Sequence, residues 1–363
     1  MRLGVGATLV DGRLVPGDVD VQDGVVAAVA VGAGGGGGIA APGFVDLQVN
    51  GFAGVDFLSA DQAGYAQAGE ALLATGVTAY QPTFITAPEA DLAAALRAMP
   101  AGSCGPRIIG AHLEGPFLSP KRIGAHDMGL CRAPDVALLR RLLDAGRVSQ
   151  MTLAPELHGA FDVVDELVAR GITVSCGHSD ATAAEAHLAF DRGVRTVTHL
   201  FNAMRPSTPR DPGIAMAALA REDVCVQVIV DGHHVAAETV LVAWRAAAGR
   251  FALVTDAVAA AGMGDGRFAL GGDVVHARDG VVRRGDGTLA GSALTMVEAV
   301  RNLHAMGVAL DAALDAAAAV PARISGRADL GRIAVGAPAD IVILDDRLDV
   351  VQVLVAGGER VAG

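Results

Sequence analysis

The alternation of short apolar segments with longer alanine-rich segments over residues 42–255 most constrains what this chain can fold into. Short apolar runs bounded by Gly, Pro or Asp are typical of buried strands, and the alanine-rich stretches between them are typical of helices, so the pattern predicts parallel strand–helix units. Eight such strands close a barrel, and 363 residues leave room for a small appendage. The sequence therefore predicts an α/β fold, a (β/α)8 TIM-like barrel. The predicted strands are 44–49, 77–80, 107–112, 149–153, 173–176, 196–199, 225–230 and 251–255, with helices at 134–145, 161–170, 181–191 and 236–248.

Both ends of the chain have the short alternating runs and the turn residues that are typical of β structure. Asp11-Gly12 and Asp23-Gly24 stand between predicted strands at 3–10, 18–22 and 25–30, and Asp-Gly at such places indicates hairpins. The tail returns to predicted strands at 331–333, 339–344 and 350–355, after helices at 295–306 and 310–320. We therefore expect a small β-sandwich domain built from residues 1–41 and 323–363, beside a barrel domain at 42–322 that carries a β insertion near 266–284.

A run of glycines at 34–38 lacks the Lys-Ser/Thr pair and the helix that follow a phosphate-binding loop, so a flexible connector is the prediction there.

Charge and cysteine content exclude several kinds of partner. The formal net charge of −12 argues against binding to nucleic acid or to an anionic membrane surface. No signal peptide or long apolar segment is evident, which predicts a protein without a membrane span. The four cysteines are scattered without a Cys-x-x-Cys pair, as expected of reduced thiols in the cytoplasm.

Glu114 and His178 closely follow two predicted strands, and His199 is the last residue of a third. In a parallel barrel the carboxyl ends of all strands share one face, so these side chains are expected to converge. Two imidazoles and a carboxylate, with a fourth position open, suit a catalytic divalent metal such as zinc. Taken singly, each residue is also compatible with a structural role in the core or at a helix end. A fourth strand ends at Asp256, a candidate proton carrier.

Taken together and in order, seven segments resemble the N-acetylglucosamine-6-phosphate deacetylase family of the amidohydrolase superfamily, over nearly the whole chain. They are Pro-Gly-Phe-Val-Asp-Leu-Gln at 42–48, His-Leu-Glu-Gly-Pro-Phe at 112–117, Gly-His-Ser-Asp-Ala-Thr at 177–182, Thr-His-Leu-Phe-Asn-Ala-Met at 198–204, Asp-Gly-His-His at 231–234, Val-Thr-Asp-Ala at 254–257 and Leu-Ala-Gly-Ser-Ala-Leu-Thr-Met at 289–296. The resemblance implies hydrolysis of the acetamide of N-acetyl-D-glucosamine 6-phosphate to D-glucosamine 6-phosphate and acetate, in amino-sugar catabolism in the cytoplasm.

One departure from the wider superfamily concerns the number of metal ions. Many of its members have His-x-His after the first strand to bind a second metal, whereas this chain has Gln48 and Asn50 there. Neutral amides are poor zinc ligands, so the resemblance implies one divalent metal per subunit, zinc being the expected ion. A second ion held weakly through water at the two amides is the alternative.

The resemblance also implies roles for individual residues. Glu114, His178 and His199 would bind the metal, and Asp256 would act first as general base and then as general acid. His126, in the loop after the third strand, would stabilise the developing oxyanion, although a loop histidine is more often a solvated bystander.

The phosphorylated sugar is expected to be held by backbone N–H groups at Asn202 and Ala203, by His234 and by Arg210. His233 is the alternative to its neighbour His234. The family supplies the arginine from the neighbouring subunit, which implies a homodimer. The other substrate-binding positions implied are Ala125, His126, Leu289, Ala290 and Gly291, and for the last three a purely structural role is nearly as well supported.

Three rival functions remain at this point. A deacetylase of N-acetylgalactosamine 6-phosphate would use the same residues, because nothing in the sequence specifies the stereochemistry at C4 of the sugar. A cyclic-amide hydrolase is disfavoured by Arg210, which suits a phosphate. A non-catalytic sugar-phosphate sensor would be expected to lack part of the metal set or Asp256, and this chain has them all.

Overall fold

The computed structural model describes residues 1–32, 36–102 and 105–362. Gly34 and Gly35 of the glycine run and Cys104 therefore lie outside the described residues. The centre of the molecule is an eight-stranded parallel barrel, as predicted. Its strands, in order, are Phe44–Val49, Val77–Ile85, Ala111–Glu114 with the short Arg107–Ile108 before it, Val148–Leu153, Thr173–Cys176, Thr196–Val197, Cys225–Val228 and Phe251–Leu253.

The first and eighth barrel strands meet just beyond their carboxyl ends. A parallel bridge joins Val49 to Ala257, and the buried Asp46 accepts a 2.6 Å hydrogen bond from Thr255 Oγ1. Burial raises the pKa of Asp46 to about 7. These contacts bring residues that are about two hundred positions apart in sequence into one wall of the barrel.

Several strands end earlier than the sequence predicts, and the reason is local backbone geometry. The sixth strand ends at Val197, because His199 and Phe201 have φ of 28° and 76°. The backbones of His178 and Asp256 are also left-handed, with φ of 47° and 50°. Non-glycine residues seldom adopt such φ values, and they concentrate at functional sites. Here they turn the chain out of the strand at the barrel mouth.

Helices surround the barrel, and four of them begin at a residue whose side chain caps the helix. Thr182 and Thr295 each form a reciprocal capping box with a glutamate three residues later. The helices are Gln62–Leu73, Glu89–Ala98, Val136–Ala145, Ala160–Ala169, Ala183–Asp191, Gly213–Leu219, Ala237–Ala246, Met296–Ala305, Leu310–Ala317 and Ala319–Ile324, with a 3-10 turn at Met128–Leu130. Within the described ranges, no helix is long and apolar enough to cross a membrane.

The two chain ends build one small β structure beside the barrel. Its six-stranded mixed sheet has the order Arg13–Pro16, Ala7–Val10, Ile39–Pro42, Ile341–Leu344, Val350–Val355 and Gly358–Ala362. A hairpin of Asp18–Gln22 and Val25–Val31 packs on it through a separate apolar cluster that includes Val19, Val26 and Ile341. The strand predicted at 331–333 is wrong, because Gly331 is left-handed and packs against Ala318. The domain boundaries stay a prediction.

A three-stranded antiparallel sheet follows the eighth barrel strand and covers one side of the barrel mouth. It consists of Gly266–Leu270, Asp273–Arg278 and Val281–Arg283, within the range where an insertion is predicted. Two hydrogen bonds attach this sheet to the mouth: Gly271 N–H donates to Asp56 at 2.9 Å, and the Arg284 guanidinium donates to the Ala125 carbonyl at 2.5 Å. A two-stranded hairpin, Gly51–Phe52 with Val55–Asp56, lies next to it.

Candidate active site

Glu114, His178 and His199 converge at the carboxyl ends of the barrel strands. Oε1 of Glu114 lies 2.8 Å from Nε2 of His199 and 3.2 Å from Nε2 of His178, and one donor atom from each residue lies within 4.8 Å of the others. All three side chains are buried. Residues separated by up to 85 positions thus share one point because parallel strands end on one face.

The donor atoms of this cluster fit a divalent metal. Nδ1 of His178 lies 2.9 Å from the carbonyl oxygen of Arg122, which can only accept, so Nδ1 carries the hydrogen in the neutral ring. The lone pair on Nε2 then faces a carboxylate oxygen of Glu114. Two acceptors at that separation repel each other unless a cation lies between them. Two imidazole nitrogens and a carboxylate are a common catalytic zinc set.

Two amides contact the carboxylates of the site. Gln48 Nε2 donates to Oε1 of Glu114 at 3.2 Å, and Asn50 Nδ2 donates to Oδ1 of Asp256 at 2.7 Å. Both amides are buried in the first barrel strand or just after it. Both amides therefore act as hydrogen-bond donors to the two carboxylates of the site.

Asp256 faces the same cavity from the end of the eighth strand. Its side chain is buried, and this desolvation, together with the negative charge of Glu114, raises the pKa of Asp256 to about 6. The turn at 289–292 is hydrogen-bonded to the backbone of Asp256, because Ser292 N–H donates to the Asp256 carbonyl at 2.9 Å. A carboxylate with a pKa near neutrality can both take and give a proton at physiological pH.

His126 has its tautomer set by the residue that directly follows the second barrel strand. The backbone N–H of Thr86 donates to Nδ1 of His126 at 3.3 Å, so Nδ1 accepts and Nε2 carries the hydrogen. Burial, reinforced by the neighbouring His178, lowers the pKa of His126 to about 4. The ring is therefore neutral and presents one N–H donor to the cavity, with Nε2 at 3.6 Å from Oε2 of Glu114.

His234 is held by a carboxylate within its own turn. Asp231 accepts hydrogen bonds from the backbone N–H groups of His233 and His234 at 2.8 and 2.9 Å, and from Nδ1 of His234 at 2.7 Å. The His234 ring lines the cavity, whereas His233 is exposed. Because Nδ1 of His234 contacts Asp231, Nε2 is the ring nitrogen of His234 that this turn does not bind.

A cavity of about 240 Å³ connects these groups. Of the remaining substrate-binding positions predicted from sequence, Ala125, Asn202, Ala203, Leu289 and Gly291 line it. Ala290 is fully buried behind the wall, in an apolar cluster with Val258 and Leu270. Arg210 is exposed on the loop before helix Gly213–Leu219 and does not line this cavity.

Sequence reasoning missed several parts of the site. Ile85, Ile229, Leu270 and Thr288 also line the cavity, and Thr86 sets the tautomer of His126. The second strand continues to Ile85, five residues beyond its predicted end at Tyr80. The β-rich run Thr83-Phe84-Ile85 is the signal that could have extended the prediction.

Two histidines, a glutamate and an aspartate with a raised pKa at the mouth of a TIM-like barrel are the residue types expected of a metal-dependent hydrolase. Comparison with known proteins agrees with that class. The family model described as "Amidohydrolase family" matches residues 39–360. The chain therefore belongs to the amidohydrolase family.

Similarity to individual proteins is extensive. An N-acetylglucosamine-6-phosphate deacetylase from Mus musculus is 39% identical over 342 residues, covering 89% of this chain and 83% of the mouse protein. An N-acetylgalactosamine-6-phosphate deacetylase from Escherichia coli O157:H7 is 36% identical, covering 87% of this chain and 86% of that protein. A solved mutant of N-acetyl-D-glucosamine-6-phosphate deacetylase from Mycobacterium smegmatis, in complex with N-acetyl-D-glucosamine-6-phosphate, superposes with a TM-score of 0.94 at 37% identity, covering 99% of this chain and 98% of that one.

Proposed function

We propose that this protein hydrolyses the acetamide of N-acetyl-D-glucosamine 6-phosphate and releases D-glucosamine 6-phosphate and acetate. The mouse and Mycobacterium smegmatis relatives support this substrate. The observation that carries the proposal is the convergence of Glu114, His178 and His199 beside Asp256 in one cavity. The three free thiols among the described cysteines are in keeping with a reducing compartment, and the reaction is assigned to amino-sugar catabolism in the cytoplasm.

Glu114, His178 and His199 would hold one divalent ion, which we assign as zinc. When bound, this ion supplies a Lewis acid that lowers the pKa of water and polarises the acetyl carbonyl. Gln48 holds the Glu114 carboxylate through its 3.2 Å hydrogen bond, so that the same oxygen faces both histidines. The amides of Gln48 and Asn50 support a single ion, because both already donate to the carboxylates.

Asp256 moves the proton. It accepts the proton of the attacking water and later gives it to the departing amine, so one group serves both steps. Asn50 binds Oδ1, and we therefore assign the proton to Oδ2. His126 donates its Nε2 hydrogen to the acetyl oxygen as negative charge develops there. The neutral state of His126 suits this role, since it needs no proton from solvent.

The sugar phosphate is positioned by groups farther out in the cavity. Asn202, Ala203 and His234 line this part of the cavity, as do Leu289 and Gly291. Arg210 lies outside the cavity of its own subunit, which supports a role in the site of a second subunit. We therefore propose a homodimer in which each Arg210 binds the phosphate in the neighbouring site.

N-acetylgalactosamine 6-phosphate is a second candidate substrate, favoured by the 36% identical relative from Escherichia coli O157:H7. The two substrates differ only in the configuration of one hydroxyl group, and a hydroxyl that leaves a buried partner unpaired costs about 1–3 kcal/mol. The proposal predicts that the glucosamine epimer has the higher kcat/KM.

Acetate release tests the proposed function. The substrates are N-acetylglucosamine 6-phosphate, its galactosamine epimer and unphosphorylated N-acetylglucosamine, each with protein that is chelated, or chelated and reloaded with Zn²⁺. We expect turnover of the first substrate only after reloading, and little turnover of the unphosphorylated sugar. Equal rates on all three sugars would contradict phosphate recognition, and no acetate from any reloaded sample would overturn the proposed reaction.

A further inference from the structure

We propose that Asp180 is a positioning residue that orients the metal ligand His178 through Arg122 and links the loop of His178 to the loops that carry His126 and Arg210. The inference rests on the proposed function, since it assigns His178 to a metal. Asp180 is two residues beyond His178 and does not line the cavity, so it has no direct part in the chemistry.

Three cationic side chains meet on the carboxylate of Asp180, whose side chain is only 9% exposed. Arg122 donates to Oδ1 from Nε at 2.8 Å, and its Nη2 lies 2.7 Å from the same oxygen. On the other oxygen, Oδ2, Arg205 Nη1 lies at 3.2 Å and Lys121 Nζ at 3.3 Å. A carboxylate shared by three cations and largely shielded from water holds them more firmly than an isolated surface pair.

The backbone of Asp180 is itself hydrogen-bonded to a residue that follows the neighbouring barrel strand. Glu156, after the fourth barrel strand, accepts a hydrogen bond from Asp180 N–H at 2.7 Å and one from Ser179 Oγ at 2.8 Å. The carboxylate of Asp180 is therefore a fixed point to which the loops on either side are attached.

The first attachment leads to the metal ligand. The guanidinium of Arg122 is bound to Asp180, and the carbonyl oxygen of the same arginine lies 2.9 Å from Nδ1 of His178. That carbonyl determines which nitrogen of His178 carries the hydrogen and in which direction the ring points. Outer partners of this kind typically change metal affinity by about 10- to 100-fold when they are lost.

The loop that contains Arg122 also lies over the edge of the His178 ring. A Cβ placed on Gly124 would stand 2.9 Å from Cε1 of His178, so the backbone passes too close for any side chain there. His126 follows two residues later, and its backbone N–H donates to Ile123. Displacement of Arg122 would therefore disturb the orientation of both His178 and His126.

The second attachment leads to the proposed phosphate loop. Arg205 donates from Nε to Oδ2 of Asp211 at 2.8 Å, in addition to its contact with Asp180. Thr208 and Asp211 exchange backbone hydrogen bonds of 2.9 and 3.2 Å, which closes the turn that contains Arg210. The two arginines thus attach to Asp180 two loops with different roles, one for the metal ligand and one for the phosphate.

The test measures metal affinity and steady-state kinetics of Asp180→Asn, Arg122→Gln and Arg205→Gln. Asp180→Asn keeps the volume of the side chain and removes its charge. Asp223→Asn is the matched control, because Asp223 pairs with Arg221 and Arg195 before the seventh barrel strand, at the opposite end of the barrel. Affinity for Zn²⁺ is obtained by competition with a chromophoric chelator, and Co²⁺-loaded samples give the visible absorption spectrum of the site.

We expect Asp180→Asn and Arg122→Gln to bind Zn²⁺ about 10-fold more weakly than wild type and to change the Co²⁺ spectrum. Arg205→Gln should bind metal normally but show a raised KM with kcat nearly unchanged, and Asp223→Asn should match wild type in every measurement. A Zn²⁺ affinity of Asp180→Asn within twofold of wild type would overturn the inference while leaving the proposed function intact. Wild-type protein that binds no Zn²⁺ would overturn both.

Discussion

Asn50 donates a 2.7 Å hydrogen bond to Oδ1 of Asp256 at the point where the first and eighth strands close the barrel. Gln48, two residues earlier, donates to Glu114 in the same way. Each amide donates to one oxygen of a carboxylate of the site. The closure of the barrel thus also sets the orientation of its two acidic groups.

Replacement of Asn50 by Ala should move the acid limb of the pH–rate profile to higher pH. The Asn50 hydrogen bond favours the ionised form of Asp256. Its loss therefore raises the pKa of Asp256, which is already about 6, still further. Asp256 must be ionised to accept a proton, and activity is therefore lost at a higher pH. We expect a displacement of about one pH unit in kcat/KM, equivalent to ~1.4 kcal/mol.

The matched control for that prediction is Asn302→Ala, which removes an amide that donates to the Val230 carbonyl at 2.8 Å without lining the cavity. Its pH–rate profile should coincide with that of wild type. An unshifted acid limb in Asn50→Ala would mean that the hydrogen bond has no influence on the proton carrier.

Replacement of His126 by Ala should lower kcat about 100- to 1000-fold while the metal content stays at the wild-type level. The loss follows from removing one preorganised donor to the developing oxyanion. His276→Ala, on the exposed face of the three-stranded sheet, serves as control. Metal analysis and kcat on the same preparations decide the result, and a His126→Ala protein that turns over at the wild-type rate rules out the assigned role.

Variants of Arg210 test whether each active site uses an arginine from the neighbouring subunit. Arg210→Gln should raise KM for the phosphorylated sugar, because a bidentate partner of the phosphate is lost. At a substrate concentration well below the wild-type KM, both single variants should be nearly inactive. Mixing Arg210→Gln with Asp256→Asn under conditions of subunit exchange should then restore activity to about a quarter of wild type, since half of the dimers are mixed and each has one complete site. Mixtures that are no more active than the two single variants at that substrate concentration would place Arg210 in its own subunit's site or outside the reaction.

Gly291 should not tolerate a side chain. It has φ of 62°, and a Cβ there would lie 2.4 Å from Cγ1 of Val258 and 2.8 Å from the carbonyl oxygen of Asp256. We expect Gly291→Ala to lower the free energy of unfolding by about 1–3 kcal/mol and to reduce kcat, because the strand end that carries Asp256 must shift. Chemical denaturation and initial rates provide the measurements.

Gly287→Ala is the appropriate comparison, since φ at Gly287 is 89° and a Cβ placed there would have no atom of the described residues within 4 Å apart from those of its two chain neighbours. Gly287→Ala therefore introduces the strain of a side chain at positive φ without a steric clash such as the one at Gly291. If both variants lose stability and activity equally, strain alone accounts for the effect and the contact with Asp256 is not important.

The convergence of Glu114, His178 and His199 could be predicted from sequence because strand order alone places them on one face of a parallel barrel. The same argument places Asp256 nearby. The hydrogen-bond partners of these residues could not be predicted in this way. Thr86 and Asn50 reach their partners only because of strand register and left-handed turns, which hydrophobic patterns do not specify.

The position of Leu270 and the partners of Asp180 could not be predicted from sequence patterns either, for two different reasons. Leu270 reaches the cavity from the three-stranded sheet, and only the way that sheet folds back over the mouth brings it there. Arg122 and Arg205 bind Asp180 from 58 and 25 positions away in sequence. The sequence around a charged loop residue does not indicate which residue it pairs with.

Metal content per subunit, measured together with acetate release from N-acetylglucosamine 6-phosphate for wild type and Asp256→Asn, tests the central claim most directly. We expect about one divalent ion in both proteins, and a kcat that is lower by about 100- to 10,000-fold in Asp256→Asn. Two tightly bound ions would contradict the role given to Gln48 and Asn50. Undiminished acetate release by Asp256→Asn would contradict the assignment of Asp256 as the proton carrier.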